Sequence, residues 1–158
     1  MKRTPLPKKR ATPRRKPTFT CSIRGCNKAP RYFPHCASHA RQEADRLFSR
    51  YIRARDRHCV VCGEPTNLQC AHLISRRYLA VRWDPGNAVA LCVADHKRFT
   101  EDPLGWDAWC EERLGAEAWS RLKQRARRGG MPDLAFTIAE LRAMLKEVGG
   151  LSAEEVAG

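Results

Sequence analysis

Between Leu68 and Thr100 the chain reads LQCAHLISRRYLAVRWDPGNAVALCVADHKRFT, which places His72, Asn87 and His96 among Arg76, Arg77, Arg82, Lys97 and Arg98. These residue types suit the hydrolysis of a phosphodiester. That reaction needs a water made nucleophilic, a counter-charge at the pentavalent phosphorus and a stabilised leaving oxygen. A neutral imidazole titrates near physiological pH and can take a proton from water. A divalent ion can hold the scissile phosphate and the leaving oxygen. Arginines can grip neighbouring phosphates in forked pairs. The same residues also suit a metal-stapled surface that holds nucleic acid without cutting it.

Eight cysteines accompany these residues. The first group is Cys21-x4-Cys26-x9-Cys36-x2-His39, four soft or borderline ligands within a segment too short to build its own core. Two close pairs joined by a loop are what a tetrahedral structural zinc requires. The second group opens with Cys59-x2-Cys62-Gly63, a tight turn aiming two thiolates one way, and Cys92 returns to it. Its fourth ligand is open at this level. Asp95 stands at the usual Cys92-x2 spacing, and zinc accepts carboxylate oxygen; Cys70 and Cys110 are the rivals, although Cys70 shares the strand face of His72. Two structural zinc ions are therefore expected. The chain has no apolar run near the ~20 residues of a membrane span, and no apolar stretch follows its basic start. A cytoplasmic setting is expected, where disulfides are rare and cysteines more often hold metal.

The formal net charge is +13, and its placement is uneven. Residues 1–18 hold eight cations, no acid and four prolines, whereas residues 131–158 hold two cations and five acids. Proline removes backbone donors and blocks helix, so 1–18 reads as a disordered basic arm that attracts phosphate backbones. DNA is the expected partner. Residues 19–41 read as the zinc knuckle, 42–130 as the main unit and 131–158 as a C-terminal helical segment.

Several elements must hold the chemistry in place. Ala44, Leu47, Phe48, Tyr51 and Ile52 recur at spacings of three and four, one apolar stripe on a helix whose other face is mostly arginine. Short strands are expected at Leu68–Ile74 and Asn87–Leu91, with a helix opening at Cys92. Asp102-Pro103 caps a further helix bearing Trp106, Trp109, Cys110 and Leu114. Ala118, Trp119 and Leu122 continue into a helix that turns basic at KQRARR. In the last segment Thr137 and Glu140 have the spacing of a capping box, and Gly149-Gly150 ends the helix. Its stripe of Ile138, Leu141, Met144, Leu145 and Val148 needs cover, from the domain or from a second subunit in a homodimer. The fold class is α+β.

The motifs CVVCG, AHLISRR, RWDPGNAVALC and DHKRFT, in this order across about residues 47–120, together resemble the HNH endonucleases of the ββα-metal fold. Within that family they are most similar to phage NinG-like recombination proteins, and the Cys3His knuckle resembles an accessory finger found before some HNH domains. The resemblance implies a zinc-stapled ββα-metal core with flanking helices, and a metal-dependent endonuclease that hydrolyses DNA in recombination or processing inside a phage's host cell. It implies His72 as general base, Asn87 as the brace of the loop that positions it, and His96 as ligand of a catalytic divalent ion such as Mg²⁺ or Mn²⁺. Two positions depart from the family pattern. Ala71 stands where many members carry a metal-binding Asp or His, and Thr100 where some carry a further His. His96 is then the one firm ligand, with Cys70, Thr100, Glu101, Asp102 or water to assist. The rival readings are a non-catalytic zinc protein that binds nucleic acid, or an anti-defence factor on the same scaffold.

Deleting residues 1–18 should weaken DNA binding and flatten the dependence of affinity on salt, because fewer counterions are released. Binding titrations across a salt series check this, and an unchanged slope would show that the arm touches no phosphate.

Overall fold

The computed structural model describes residues 19–149 except Phe33. The basic arm lies outside the described residues, and so does the end of the C-terminal segment. After the N-terminal loop come helix α1 (Ala37–Asp56), strand β1 (Gln69–His72), strand β2 (Ala88–Leu91), and helices α2 (Val93–Glu101), α3 (Pro103–Leu114), α4 (Ala116–Arg128) and α5 (Leu134–Glu147). The class is mixed α+β. The two strands run antiparallel, with Gln69 opposite Leu91 and His72 opposite Ala88.

Alternation along the strands divides the interior in two. Ala88 and Ala90 face a core made by Ala44, Leu47, Phe48 and Ile52 of α1, Trp83, and Leu134, Leu141 and Leu145 of α5. Val89 and Leu91 face the other core, with Ala71, Cys110, Trp119, Leu122 and Ala126. Every residue of β2 is buried, so the small sheet is covered on both sides: by α1 and α5 on one face, by α3 and α4 on the other. The apolar stripe of α5 is thus covered by the chain itself.

Most elements lie where the periodicity places them, and three details differ. Helix α1 is unbroken across residues 41 and 42, so the knuckle and the main unit share one rod. The C-terminal helix belongs to the first core rather than to a separate segment. Its N-cap is Asp133, whose carboxylate accepts from the amides of Ala135 and Phe136; Thr137 lies inside the helix and donates its hydroxyl to Asp133 O at 2.8 Å. The expected capping box at Thr137 and Glu140 is therefore wrong. An Asp just after proline caps one turn earlier and lengthens the helix. No helix among the described residues is long and apolar enough to cross a membrane.

If α5 completes the core, Leu141→Ala, at a side chain 2% exposed, should cost about 2–5 kcal/mol. A urea unfolding curve measures it, and a loss well under 1 kcal/mol would show that α5 is dispensable.

Candidate functional site

The first cysteine group gathers at the start of α1. Gly25, at φ 77°, makes the turn that only glycine adopts without strain, and Cys26 N closes that turn on Ile23 O at 3.0 Å. Cys36 is the N-cap of α1 and His39 lies in its first turn. Cys26 Sγ is 3.9 Å from Cys36 Sγ, and His39 Nδ1 lies 3.2 Å from Cys21 Sγ and 3.5 Å from Cys36 Sγ. The Ser38 hydroxyl and the His39 backbone amide hold the Cys36 thiol down at about 6, ready to ligate as a thiolate.

The second group repeats this plan. Gly63, at φ 80°, follows Cys62, Cys92 is the N-cap of α2, and Asp95 lies in its first turn. Asp95 Oδ2 is 3.2 Å from Cys59 Sγ and 3.4 Å from Cys92 Sγ, and Cys62 Sγ is 3.7 Å from Cys92 Sγ. The thiols that face it, Cys62 foremost, hold the Asp95 carboxyl below its ordinary value. Its other oxygen forms an ion pair with Arg98 at 3.2 Å.

Zinc–sulfur bonds of about 2.3 Å at tetrahedral angles require sulfurs roughly 3.8 Å apart. In each group all four ligand atoms lie within 4.8 Å of one another, so both donor sets fit one zinc ion, and no cysteine is in a disulfide. Asp95 is the side chain that completes the second group of four. Cys70 lies on the first core and Cys110 is buried in the second. Among the described residues no third group of metal-ligating side chains converges.

His72 ends β1 beside Phe48 of α1, with ring centres 5.4 Å apart. Its Nε2 lies 2.9 Å from Arg82 O. A carbonyl only accepts, so Nε2 carries the proton and Nδ1 the lone pair. Burial pushes the His72 value below 6.5, and the positive charges of Arg82 and Arg76 add to this. The loop from Leu73 to Gly86 that supplies Arg82 is closed by Asn87, which is fully buried. Asn87 Nδ2 donates to Ile74 O at 3.0 Å and to Val81 O at 2.9 Å, while Oδ1 accepts from Ile74 N at 2.8 Å.

Two clefts meet at His72 and His96. One, of about 440 Å³, is lined by Asp45, Ser49, Cys70 and Arg76 among others. The other, of about 400 Å³, is lined by Ala71, Leu73, Leu91, Phe99, Thr100 and Trp106 as well as the two histidines. His96 Nδ1 bonds the Gln69 side-chain oxygen. The remaining helpers expected for a catalytic ion are turned elsewhere: Thr100 donates to His96 O at 2.7 Å, Glu101 pairs with Lys97 at 3.8 Å, and Asp102 caps α3.

The expected phosphate contacts divide. Arg76 and Arg77 are exposed, and Arg76 lines the first cleft. Lys97 is also exposed, while Arg98 supports Asp95 and lies over Phe99, 4.5 Å from its ring centre. Arg82 is not a phosphate clamp. Both arms of its fork are taken by Asp45, at 2.8 and 2.6 Å, and its third nitrogen donates to Arg76 O. Sequence reasoning missed Asp45. That carboxylate also accepts from the Trp83 indole at 2.8 Å, and so holds residues 82 and 83 against α1 and sets the carbonyl that His72 uses. An acid three residues before Phe48 on the helix is the only signal in the sequence, and it names no partner.

No protein-family model, no curated protein and no solved structure matches the chain.

The clusters predict two zinc ions per purified chain. Asp95→Ala and Cys36→Ala should each lose one, and Asp95→Cys should retain both because thiolate replaces carboxylate in the same set. Elemental analysis decides, and an Asp95→Ala protein that still holds two zinc ions would remove Asp95 from the ligands.

Proposed function

We propose that the chain is an endonuclease of the HNH type that hydrolyses DNA phosphodiesters with His72 as general base. The carrying observation is the His72–Arg82 hydrogen bond. It leaves a lone pair on Nδ1 of a ring that burial keeps neutral, in a wall shared by two clefts. Asn87 and Asp45 support that arrangement by fixing the loop that carries the accepting carbonyl. In the proposed step, water gives a proton to His72 Nδ1 as its oxygen attacks phosphorus. The bond to the leaving oxygen breaks, and that oxygen takes a proton from solvent. Arg76 is placed to hold a phosphate oxygen.

The surroundings of His96 favour a second reading. A catalytic ion needs several oxygen or nitrogen donors; the cleft beside Trp106 offers His96 no carboxylate, and the one carboxylate of the other cleft, Asp45, is taken by Arg82 and the Trp83 indole. This donor set does not fit a protein-held ion. With few donors left for an ion, the same basic surface suits a nucleic-acid-binding protein on the same scaffold that does not cut.

Plasmid, single-stranded and branched DNA, incubated with Mg²⁺, Mn²⁺ or Ni²⁺ and with chelator, separate the readings. Nicking by wild type that falls about 10²–10⁴-fold in His72→Ala, with zinc content and DNA affinity kept, is the expected result. Since the His72 value is lowered from 6.5, the base is deprotonated above that pH. Cleavage should be level there and fall only in more acid solution. Wild type that nicks no DNA form supports the binder, and full-rate cleavage by His72→Ala removes the base.

A further inference from the structure

We propose that the cleft between the start of the loop after β1 and helix α4 is a second DNA-backbone site, which holds a phosphate of the strand that passes His72. It encloses about 290 Å³ and presents Ser75, Arg77, Asp107, Trp119, Lys123 and Arg127. At about 30 Å³ per water, that is room for a phosphate group and several waters.

Three observations carry the assignment. The first is charge: Arg77, Lys123 and Arg127 face one another with a single carboxylate, Asp107, among the lining residues. Asp107, which is exposed, reaches the half-buried Lys123 only at 3.9 Å, and so long and solvated a pair is weak. The second is fixation. The Arg77 guanidinium lies 5.0 Å from the Tyr78 ring centre and donates to its hydroxyl at 3.3 Å. Lys123 Nζ is 4.9 Å from the ring centre of Trp119, a side chain 3% exposed. Trp119, Lys123 and Arg127 follow one another at four-residue spacing on one face of α4. Cations held against rings lose less freedom on gripping an anion than free side chains do. The third is continuity. Leu73 and Ser75 line both this cleft and the one that contains His72 and His96, so a backbone leaving the histidines over Ser75 arrives at Arg77. An acidic protein surface would also meet these cations, but continuity with the histidine cleft favours a phosphodiester strand.

The inference rests on DNA being the ligand and not on its being cut, and the test keeps the two apart. In a His72→Ala background whose zinc content is intact, the affinity for a short fluorescein-labelled DNA duplex is measured across a salt series. Lys123→Ala and Arg127→Ala should each weaken binding and lower the salt slope by about one. Asp107→Asn should tighten binding. Arg121→Ala, on the opposite face of α4 and paired with Glu117, should leave both quantities at the parent value. Parent-like slopes in Lys123→Ala and Arg127→Ala would overturn the site, and so would an equal loss in Arg121→Ala, which would indicate diffuse charge instead of a cleft. Wild type that nicks nothing would remove the nuclease reading and leave these slopes as they are.

Discussion

Two strands of four residues cannot hold themselves together in water, and the placement of His72 depends on how the chain overcomes this. Faces alone are not enough, because a two-stranded ladder also has two open edges. On β2 that edge is satisfied from α1 and the loop after it. Asp56 accepts from Ala90 N at 2.7 Å, Arg55 donates to Ala88 O at 2.9 Å and to Pro85 O at 2.8 Å, and Val60 N donates to Ala90 O at 3.1 Å. The last turn of α1 thus acts as a side-chain strand, and the exposed edge that invites pairing with other chains is covered. The second cluster adds the end clamp, tying the turn before β1 to the helix after β2.

Within that frame, polar side chains do what backbone pairing does in a larger sheet. A buried amide is costly unless its hydrogen bonds are made. Asn87 makes three, all within the loop it closes. The Asp45–Arg82 pair is less buried, and its importance is geometric: a chain of contacts runs from α1 through Asp45 and Arg82 to the His72 ring. The imidazole tautomer is set by a carbonyl that a carboxylate on another element holds still.

The parts of this protein legible in its sequence are those written in short spacing. The ligands of both clusters lie close in the chain, and the two groups share one plan, a Cys at a helix N-cap followed three residues later by His39 or Asp95. That parallel singles out Asp95 over Cys70 and Cys110. Helices α1, α3 and α4 are legible from their stripes and caps. The partner of α5 was not, because an apolar stripe does not say what covers it. The role of Arg82 was also hidden. An arginine in a basic loop looks the same whether it meets a phosphate or a carboxylate, and Asp45 lies 37 positions earlier in the chain. Long-range polar pairing leaves no local pattern.

The packing of α5 on α1 also bears on the order in which the chain can fold. The N-terminal cluster is closed within Cys21–His39, a short loop that forms quickly once metal is present. The apolar side of α1, which follows at once, is completed only by Leu134, Leu141 and Leu145. Residues as far as Leu145 must therefore leave the ribosome before the cover of Leu47, Phe48 and Ile52 is complete. Until then the cysteine cluster carries a helix whose apolar side is incompletely covered, the kind of surface that chaperones bind and that aggregates when they are scarce. Any truncation ahead of α5 makes that transient state permanent.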